Sequence, residues 1–248
     1  MQNNFYFTGN FSNIYKKPSR LSEVTSQILH GDKFKILSKN RDWIKVKILF
    51  DNYIGFIKNV KYKKKFNPNF KVSNLKARIF EKPNLGTNNY LPLGSRLFAI
   101  GQNKKYIKIE KNKWIKKTDI KKINHIEKNF IKTFKKFLNV KYIWGRKGFK
   151  GIDCSALLQI FYYYNNSFYP RDTKDQIKYS KKKLNHKIFE KGDIIFWKGH
   201  VAICLNSKKL IHAYGPKKKV LIMPIMKTIE RIEQTAKLKI KKISKIYF

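Results

Sequence analysis

Short apolar runs separated by turn residues fill the first half of the chain. Runs of strand length, such as Trp43 to Leu49 and Tyr53 to Ile57, alternate with Asn, Asp and Gly turn signals, which is typical of antiparallel β structure. The pattern repeats after Lys61 to Asn69, a basic segment that we interpret as a linker. It predicts two small all-β domains, at residues 1–62 and 63–122. Further strand candidates are Phe34 to Leu37, Val72 to Phe80, Arg96 to Ile100, Tyr106 to Ile109 and Lys113 to Ile115.

The spacing of apolar residues changes at about residue 123. Between Ile123 and Leu138 they recur at helical intervals, and the run from Ala156 to Tyr164 is long enough for a second helix. A short helix, Met226 to Ala236, and a last strand, Leu238 to Phe248, are expected near the end. Four strand candidates lie between these helices: Ile194 to Trp197, Val201 to Leu205, Leu210 to Tyr214 and Val220 to Ile225. Helices followed by antiparallel strands predict an α+β domain at 123–248.

Composition adds a strong positive charge to this picture. The chain has 57 Lys and Arg against 15 Asp and Glu, a net charge of +42, and it is 42% hydrophobic. The hydrophobic content supports a folded core. The basic residues occur in every segment and form no single block, so we interpret them as solvated surface positions. Their field favours acidic ligands, and nucleic-acid binding stays open as an alternative.

The chain carries no targeting or metal-binding signal. Its N-terminus lacks a basic region followed by an apolar run, and no stretch approaches 18 apolar residues. We therefore expect a cytoplasmic protein without membrane contact. Two cysteines, Cys154 and Cys204, are too few for a disulfide framework, and zinc-finger spacing is missing. No cofactor or metal is expected.

Cys154 is the candidate nucleophile. It follows a glycine-rich loop and Asp153, at the predicted start of a helix. Free N–H groups and partial positive charge at a helix N-terminus favour a thiolate, which predicts a lowered pKa for the Cys154 thiol. The same N–H groups are suited to an oxyanion. A small buried apolar residue is the alternative reading of this cysteine.

Two histidines on neighbouring predicted strands complete a catalytic set. His200 is the candidate base, and His212 would hydrogen-bond its second ring nitrogen and fix its tautomer. Surface positions for either histidine, a Cys-His-His metal site and a disulfide between the two cysteines stay open as alternatives. Cys204 is expected in the core. The remaining histidines, His30, His125 and His186, are expected to be solvated.

An ordered series of motifs resembles the NlpC-type cell-wall cysteine peptidases. The series comprises Tyr142-Ile-Trp-Gly, Asp153-Cys154-Ser155, Pro170-Arg171-Asp172-Thr173 with Gln176, Gly192-Asp193, His200-Val-Ala-Ile and Ile211-His212-Ala213. The resemblance implies a papain-like catalytic domain with helices packed on an antiparallel sheet. It also implies Cys154 as nucleophile, His200 as base and His212 as the orienting residue, with cleavage at the γ-D-glutamyl to diamino acid bond of stem peptides.

Two positions depart from that family pattern. Arg146 stands where the family has the second glycine after Trp, and Ala156 stands where it has glycine after Cys-Ser. Neither change removes a catalytic group. We expect them to alter specificity more than activity, with Arg146 adding a contact to a carboxylate and the extra methyl of Ala156 either narrowing the cleft or altering the packing of the helix on the sheet.

The two N-terminal domains are similar to bacterial SH3-like β-barrels of the dipeptidyl-peptidase VI group. That resemblance implies that Glu23 and Tyr53 face the free amine of an L-Ala residue, with Asp153 and Ser155 completing the pocket. Arg171 would bind a substrate carboxylate, or else form a structural ion pair with Asp172 or Asp175. Tyr142 would donate to the oxyanion or touch the thiol, or else belong to the core.

These expectations predict a dipeptidyl-peptidase that processes recycled muropeptides. Its partners would be stem peptides of the form L-Ala-γ-D-Glu-diamino acid, with no specific nucleic acid, and the protein would act as a monomer. A secreted hydrolase of intact cell wall and a basic nucleic-acid-binding β-barrel protein are the alternatives.

Overall fold

A computed structural model describes residues 4–181 and 188–247, which form two compact units. The first unit comprises Met1–Ile126 with Tyr163–Asn166, and the second comprises Glu127–Tyr162 with Ser167–Phe248. Both predicted β domains lie in the first unit. The second unit contains most of the predicted catalytic domain.

The N-terminal part of the first unit is a seven-stranded antiparallel sheet with the strand order β3-β2-β6-β5-β4-β1-β7. Apolar residues alternate with polar ones along β5, whose burial alternates accordingly, because successive side chains of a strand point to opposite faces. Ile14, Phe34 and Val46 lie in the resulting core. The strands are β1 (Asn4–Phe7), β2 (Phe11–Tyr15), β3 (Val24–Leu29), β4 (Lys33–Asn40), β5 (Trp43–Ile48), β6 (Ile54–Lys58) and β7 (Tyr62–Lys63).

Two smaller antiparallel sheets follow in the same unit, with strand orders β10-β9-β14-β13-β12 and β11-β8-β15. The single strand predicted from Val72 to Phe80 is wrong, because the chain turns at Ser73 and Asn74, whose N–H groups both donate to the carbonyl of Asp119. The strands are β8 (Phe70–Val72), β9 (Lys76–Lys82), β10 (Leu85–Pro92), β11 (Arg96–Leu97), β12 (Gly101–Gln102), β13 (Tyr106–Glu110), β14 (Lys113–Lys116) and β15 (Ile120–Lys122). A short 3₁₀ helix spans Lys117–Asp119.

The second unit is built on a five-stranded antiparallel sheet with the order β21-β20-β19-β18-β22. Its strands are β18 (Asp193–Trp197), β19 (His200–Cys204), β20 (Lys209–Tyr214), β21 (Lys219–Pro224) and β22 (Lys242–Lys245). A two-stranded hairpin, β16 (Lys147–Gly148) and β17 (Gly151–Ile152), precedes it, and a 3₁₀ turn spans Gly215–Lys217. The helices are α1 (Phe130–Lys135), α2 (Cys154–Tyr164), α3 (Thr173–Tyr179) and α4 (Ile225–Ala236).

Helix α1 is much shorter than the helix predicted between Ile123 and Leu138. The side chain of Asn129 accepts a hydrogen bond from the N–H of Lys132, which caps the helix at its start. Before this cap, the N–H of Ile123 donates to the carbonyl of Asn69. The helical spacing of apolar residues therefore ran beyond the helix itself.

Helix α2 begins at the cysteine, as the sequence predicts. Asp153 precedes it, and its Oδ1 accepts a hydrogen bond of 2.8 Å from the N–H of Ala156, as expected of an N-cap aspartate. Residues from Ala156 to Tyr164 are all buried. A helix that is apolar on every side needs such an enclosed position. Cys154 is thus held at the start of a buried helix.

Candidate active site

Cys154 is almost fully buried at the start of α2, with 2% of its surface exposed. Its thiol donates to the carbonyl of Gly199 across 3.8 Å, and the backbone N–H groups of Val201 and Ser155 hydrogen-bond the sulfur. Gly199 has φ +75°, which favours glycine. It lies in the two-residue turn between Trp197 and His200, which are paired across β18 and β19.

The expected low pKa of the Cys154 thiol is wrong for the resting site. Burial raises the pKa of the thiol to about 12, and the nearby carboxylate of Asp153 adds to this rise. The two backbone donors and the guanidinium of Arg171 act in the opposite direction but are smaller influences. Desolvation outweighs the helix N-terminus here, so the resting sulfur carries its proton.

His200 and His212 form a hydrogen-bonded pair. Nε2 of His200 lies 3.0 Å from Nδ1 of His212. β19 and β20 are antiparallel with Ile203 opposite Ile211, a register that places the two histidines diagonally on one face. His212 stacks on Tyr214 with ring centroids 4.6 Å apart. The strand pairing predicted from sequence therefore brings the two imidazoles together.

Both imidazoles are neutral in the resting site. Burial lowers the pKa of His200 to about 4. Burial also lowers the pKa of His212 well below its usual range, and the neighbouring His200 lowers it further. A neutral imidazole has one N–H and one lone pair. The pair therefore has the capacity to take up one proton, which is what a general base requires.

Asp153, Ser155 and Arg171 form a buried network beside the nucleophile. Arg171 donates to both oxygens of Asp153, across 3.0 and 2.6 Å, and to the hydroxyl of Ser155 across 2.9 Å. Ser155 in turn donates to Asp153 across 3.1 Å. Asp153 also accepts from the N–H groups of Gly145 and Ala156. The ion pair considered for Arg171 exists, but its partner is Asp153 and not Asp172 or Asp175.

The hydrogen bonds of Gln176 show why a glutamine follows the Arg171 motif. Its side-chain amide donates to the carbonyls of Ser155 and Pro170, each across 2.9 Å. The first of these bonds holds the opening turn of α2 against α3. Arg171 and Gln176 therefore fix the two residues that flank Cys154.

Tyr142 lies close to the nucleophile. Burial raises the pKa of its hydroxyl, and the proximity of Cys154 and Asp153 raises it further. The phenol therefore stays protonated and has a hydrogen to donate. Its roles as an oxyanion donor or as a contact of the thiol stay predictions.

Arg146 and Ala156, which depart from the family pattern, differ in their surroundings. Ala156 is fully buried, and its N–H belongs to the cap of α2 described above. Arg146 is partly buried, and its Nε is a buried atom without a hydrogen-bond partner. Arg146 thus lies within the glycine-rich loop that precedes Cys154, and Ala156 lies two residues after Cys154 in α2.

Glu23 and Tyr53, the residues expected at a substrate amine, both lie in the first unit. Glu23 is exposed and pairs with Lys16 across 3.5 Å. Tyr53 is half-buried, and its hydroxyl donates weakly to the carbonyl of Thr25 across 3.4 Å. Their binding role stays a prediction.

The other histidines differ from expectation. His30 is not solvated, because it is buried with 4% exposure and one ring nitrogen lies 3.0 Å from the carbonyl of Gly9. His125 is partly buried, with its Nδ1 3.1 Å from the hydroxyl of Tyr164. His186 lies outside the described residues.

Both cysteines are free thiols, so a disulfide between Cys154 and Cys204 is excluded. Cys204 lies in the core with Ala202 and Leu210, which confirms its predicted position. Over residues 4–181 and 188–247, no group of three or more His, Cys, Asp or Glu side chains is placed to hold a metal ion. The metal-site alternative therefore lacks a suitable cluster.

None of the helices in the described part of the chain combines the length and the apolar character needed to cross a membrane.

Each of the two parts of the chain matches a known protein family. Residues 139–237 match the NlpC/P60 family, and residues 14–59 match the bacterial dipeptidyl-peptidase Sh3 domain. Dipeptidyl-peptidase 6 of Lysinibacillus sphaericus is 24% identical over 234 residues, covering 82% of this chain and 84% of its relative. A γ-D-glutamyl-L-lysine dipeptidyl-peptidase of Bacillus cereus is 26% identical over 248 residues, covering 82% and 71%.

Solved structures show the same fold. An NlpC/P60 family protein from Bacillus cereus superposes with a TM-score of 0.75 at 20% identity, covering 90% of this chain and 94% of the other. An NlpC/P60 endopeptidase from Photobacterium damselae gives a TM-score of 0.63 at 14% identity, covering 97% and 70%. The fold and the family match together define an NlpC/P60 cysteine peptidase. The chain carries an NlpC/P60 domain at residues 139–237, preceded by a bacterial dipeptidyl-peptidase SH3 domain at residues 14–59.

Proposed function

We propose that the protein hydrolyses the γ-D-glutamyl to diamino acid bond of stem peptides that begin with a free L-Ala residue. The observation that carries the proposal is the hydrogen-bonded pair of His200 and His212 on β19 and β20, in the same unit as a buried thiol at the start of α2. Relatives named γ-D-glutamyl-L-lysine dipeptidyl-peptidases, in Bacillus cereus and Bacillus subtilis, support this substrate class.

The neutral resting site defines the order of proton transfers. His200 takes the proton of Cys154 as the sulfur attacks the γ-carbonyl carbon, and the carbonyl oxygen becomes an oxyanion. Backbone N–H groups at the start of α2 stabilise that oxyanion. The imidazolium of His200, still bonded to His212, then protonates the nitrogen of the departing diamino acid. Water hydrolyses the remaining thioester and releases L-Ala-D-Glu.

The need to compensate the charge of a buried ammonium group favours Glu23 as the partner of the substrate amine. A desolvated ammonium group needs a carboxylate and hydrogen-bond acceptors, because its transfer from water is otherwise costly. Asp153 has a carboxylate, but both of its oxygens are bonded to Arg171 and its charge is already neutralised. Glu23 is also ion-paired, with Lys16 across 3.5 Å, but that pair is exposed and therefore weak. We accordingly assign the compensating charge to Glu23, with the hydroxyl of Tyr53 as an acceptor.

Peptides with and without a free amine test this assignment. L-Ala-γ-D-Glu-L-Lys and its N-acetyl form are incubated with the protein, and the products are identified by mass spectrometry. We expect cleavage of the free tripeptide and at least about a hundred-fold slower cleavage of the acetylated one, because the blocked amine loses a charge-assisted interaction. Equal rates for both peptides would overturn the proposal.

The Glu23→Gln variant tests whether Glu23 itself binds the substrate amine. The variant should raise KM for the free tripeptide and should leave the slow cleavage of the acetylated peptide unchanged. Glu81→Gln is the matched control, since Glu81 is an exposed glutamate of the same unit. A similar rise in KM in both variants would show that the field of the protein, rather than Glu23 itself, attracts the amine.

Released peptides, rather than intact wall, are the substrate in this proposal. The L-Ala amine is free only after the peptide has been detached from the glycan, so a peptidase that needs this amine acts downstream of that cut. We accordingly propose the cytoplasm as the place of action. Cleavage of intact sacculi at the rate of the tripeptide, together with recovery of the protein outside the cell on fractionation, would favour the secreted hydrolase instead.

A further inference from the structure

His212 makes a second hydrogen bond, to a residue that has no assigned role in the site. Its Nε2 lies 3.3 Å from the sulfur of Met223. Met223 is on β21, where His212 is paired with Leu221, so the methionine is the diagonal neighbour of His212 on the same face. Diagonal neighbours of this kind are within reach of long side chains. The methionine is partly buried and packs against the core of the second unit.

The sulfur of Met223 determines which nitrogen of His212 carries the proton. A thioether sulfur has lone pairs but no hydrogen, so it accepts a hydrogen bond and cannot donate one. The proton in this contact must therefore be on Nε2 of His212. The ring is fully buried, an environment that favours its neutral form with a single proton. Nδ1 of His212 is then a bare acceptor.

The same logic extends to the catalytic base. Because Nδ1 of His212 accepts, Nε2 of His200 must donate across the 3.0 Å contact. The neutral ring of His200 then has its lone pair on Nδ1. We propose that Met223 is a positioning residue, which fixes the tautomers of both histidines and keeps Nδ1 of His200 free to receive the thiol proton of Cys154.

The opposite arrangement shows what Met223 prevents. With a proton on Nδ1 of His212, the lone pair of its Nε2 would face the lone pairs of the sulfur. His200 would accept at Nε2 and would carry its proton on Nδ1, where it is unable to take another. In the proposed arrangement, the proton moves from the sulfur of Cys154 to Nδ1 of His200 and then to the leaving amine, while Nε2–H keeps its bond to His212.

Nitrogen NMR of the resting protein is the direct test. In protein labelled with ¹⁵N-histidine at neutral pH, we expect a protonated Nε2 and an unprotonated Nδ1 for both His200 and His212. His200→Asn and His212→Asn variants assign the signals. A proton on Nδ1 of His212 would overturn the proposal. This measurement needs no substrate, so its outcome is independent of whether the tripeptide is the right one.

Met223→Leu removes the acceptor and conserves the volume of the side chain. We expect mixed tautomers for both histidines and a fall in kcat of about five-fold, the effect of one weak hydrogen bond, with KM for L-Ala-γ-D-Glu-L-Lys unchanged. Met226→Leu is the matched control, because Met226 is exposed on α4; it should alter neither quantity. Unchanged tautomers and unchanged kcat in Met223→Leu would overturn the proposal. If wild-type protein leaves the tripeptide intact, the proposed function fails and the NMR arm still decides this inference.

Discussion

Cys154 and His200 are both neutral in the resting site, because burial disfavours the charged form of each side chain. The low pKa of His200, about 4, arises from desolvation by burial. If Cys154 is the nucleophile and His200 the base, as proposed, both groups start neutral and charge develops only as the reaction proceeds. The interactions that stabilise charge, from the α2 N–H groups and from His212, therefore act mainly on the transition state.

This arrangement predicts an unusual pH profile for activity. The base must be unprotonated in the free enzyme, and its pKa is below the usual value of 6.5. The acid limb of kcat/KM should therefore lie near pH 4, with activity undiminished from pH 7 down to about pH 5. Tripeptide hydrolysis measured from pH 3.5 to 8 checks this. An acid limb near pH 6.5, in protein that is still folded, would contradict the neutral pair.

The buried ion pair between Asp153 and Arg171 is predicted to contribute to the stability of the second unit. Both side chains are almost fully buried, so Arg171→Met would leave an uncompensated carboxylate and should destabilise the second unit by about 3–5 kcal/mol. Hydrogen exchange of the α2 amides should accelerate accordingly. Lys245→Met is the control, because Lys245 pairs with Glu190 at the surface of the same unit and should cost below about 1 kcal/mol. Equal effects would show that the buried pair is not structural.

Residue chemistry in the sequence identified some of these groups and not others. Cys154, His200 and His212 are recognisable because few residue types supply a nucleophile and a base. The partner of Arg171 was mistaken, since nearby Asp172 and Asp175 are visible in sequence and a distant Asp153 is not. Met223 has no catalytic signature. Its only trace was an apolar position two residues after Leu221 on a predicted strand.

Helix α2 determines where the proposed nucleophile lies. Substitution of Ala156 tests how stable the first turn of this helix is. Ala156 is buried and its N–H closes the Asp153 cap. Replacement by the family's glycine, Ala156→Gly, should destabilise the helix by about 1 kcal/mol and should accelerate hydrogen exchange at its first turns. Because the backbone N–H is unchanged, the cap and the activity should survive. Ala236→Gly, at the exposed end of α4, should have a smaller effect. A complete loss of activity in Ala156→Gly would contradict this view of the cap.

Elements with strong periodic signals were predicted well from the sequence, and their junctions were not. The strands that carry His200 and His212 appeared within a residue of their predicted bounds, because apolar runs between turn signals define them. The predicted helix from Ile123 to Leu138 shrank to six residues. Apolar residues at helical spacing also occur in irregular segments that pack on a core, and periodicity alone does not separate the two.

The whole molecule carries a net charge of +42, and self-repulsion of this size opposes a compact state. Screening by salt should relieve it, since the Debye length is about 10 Å at 0.1 M ionic strength. We predict that the midpoint of thermal unfolding rises steadily as sodium chloride increases from about 0.05 to 0.5 M. An uncharged osmolyte series at matched osmolality is the control. A midpoint that falls with salt would show that attractive ion pairs outweigh the repulsion.

The central claim is that the sulfur of Cys154 attacks the γ-glutamyl carbonyl, and a matched pair of cysteine variants tests it most directly. Hydrolysis of L-Ala-γ-D-Glu-L-Lys is followed by mass spectrometry for wild type, Cys154→Ala and Cys204→Ala. Both cysteines are buried and neither forms a disulfide, so the two variants make the same chemical change at two buried positions. We predict that Cys154→Ala lowers kcat by at least about a thousand-fold, whereas Cys204→Ala cleaves the peptide at nearly the wild-type rate. Wild-type turnover in folded Cys154→Ala protein would contradict the account.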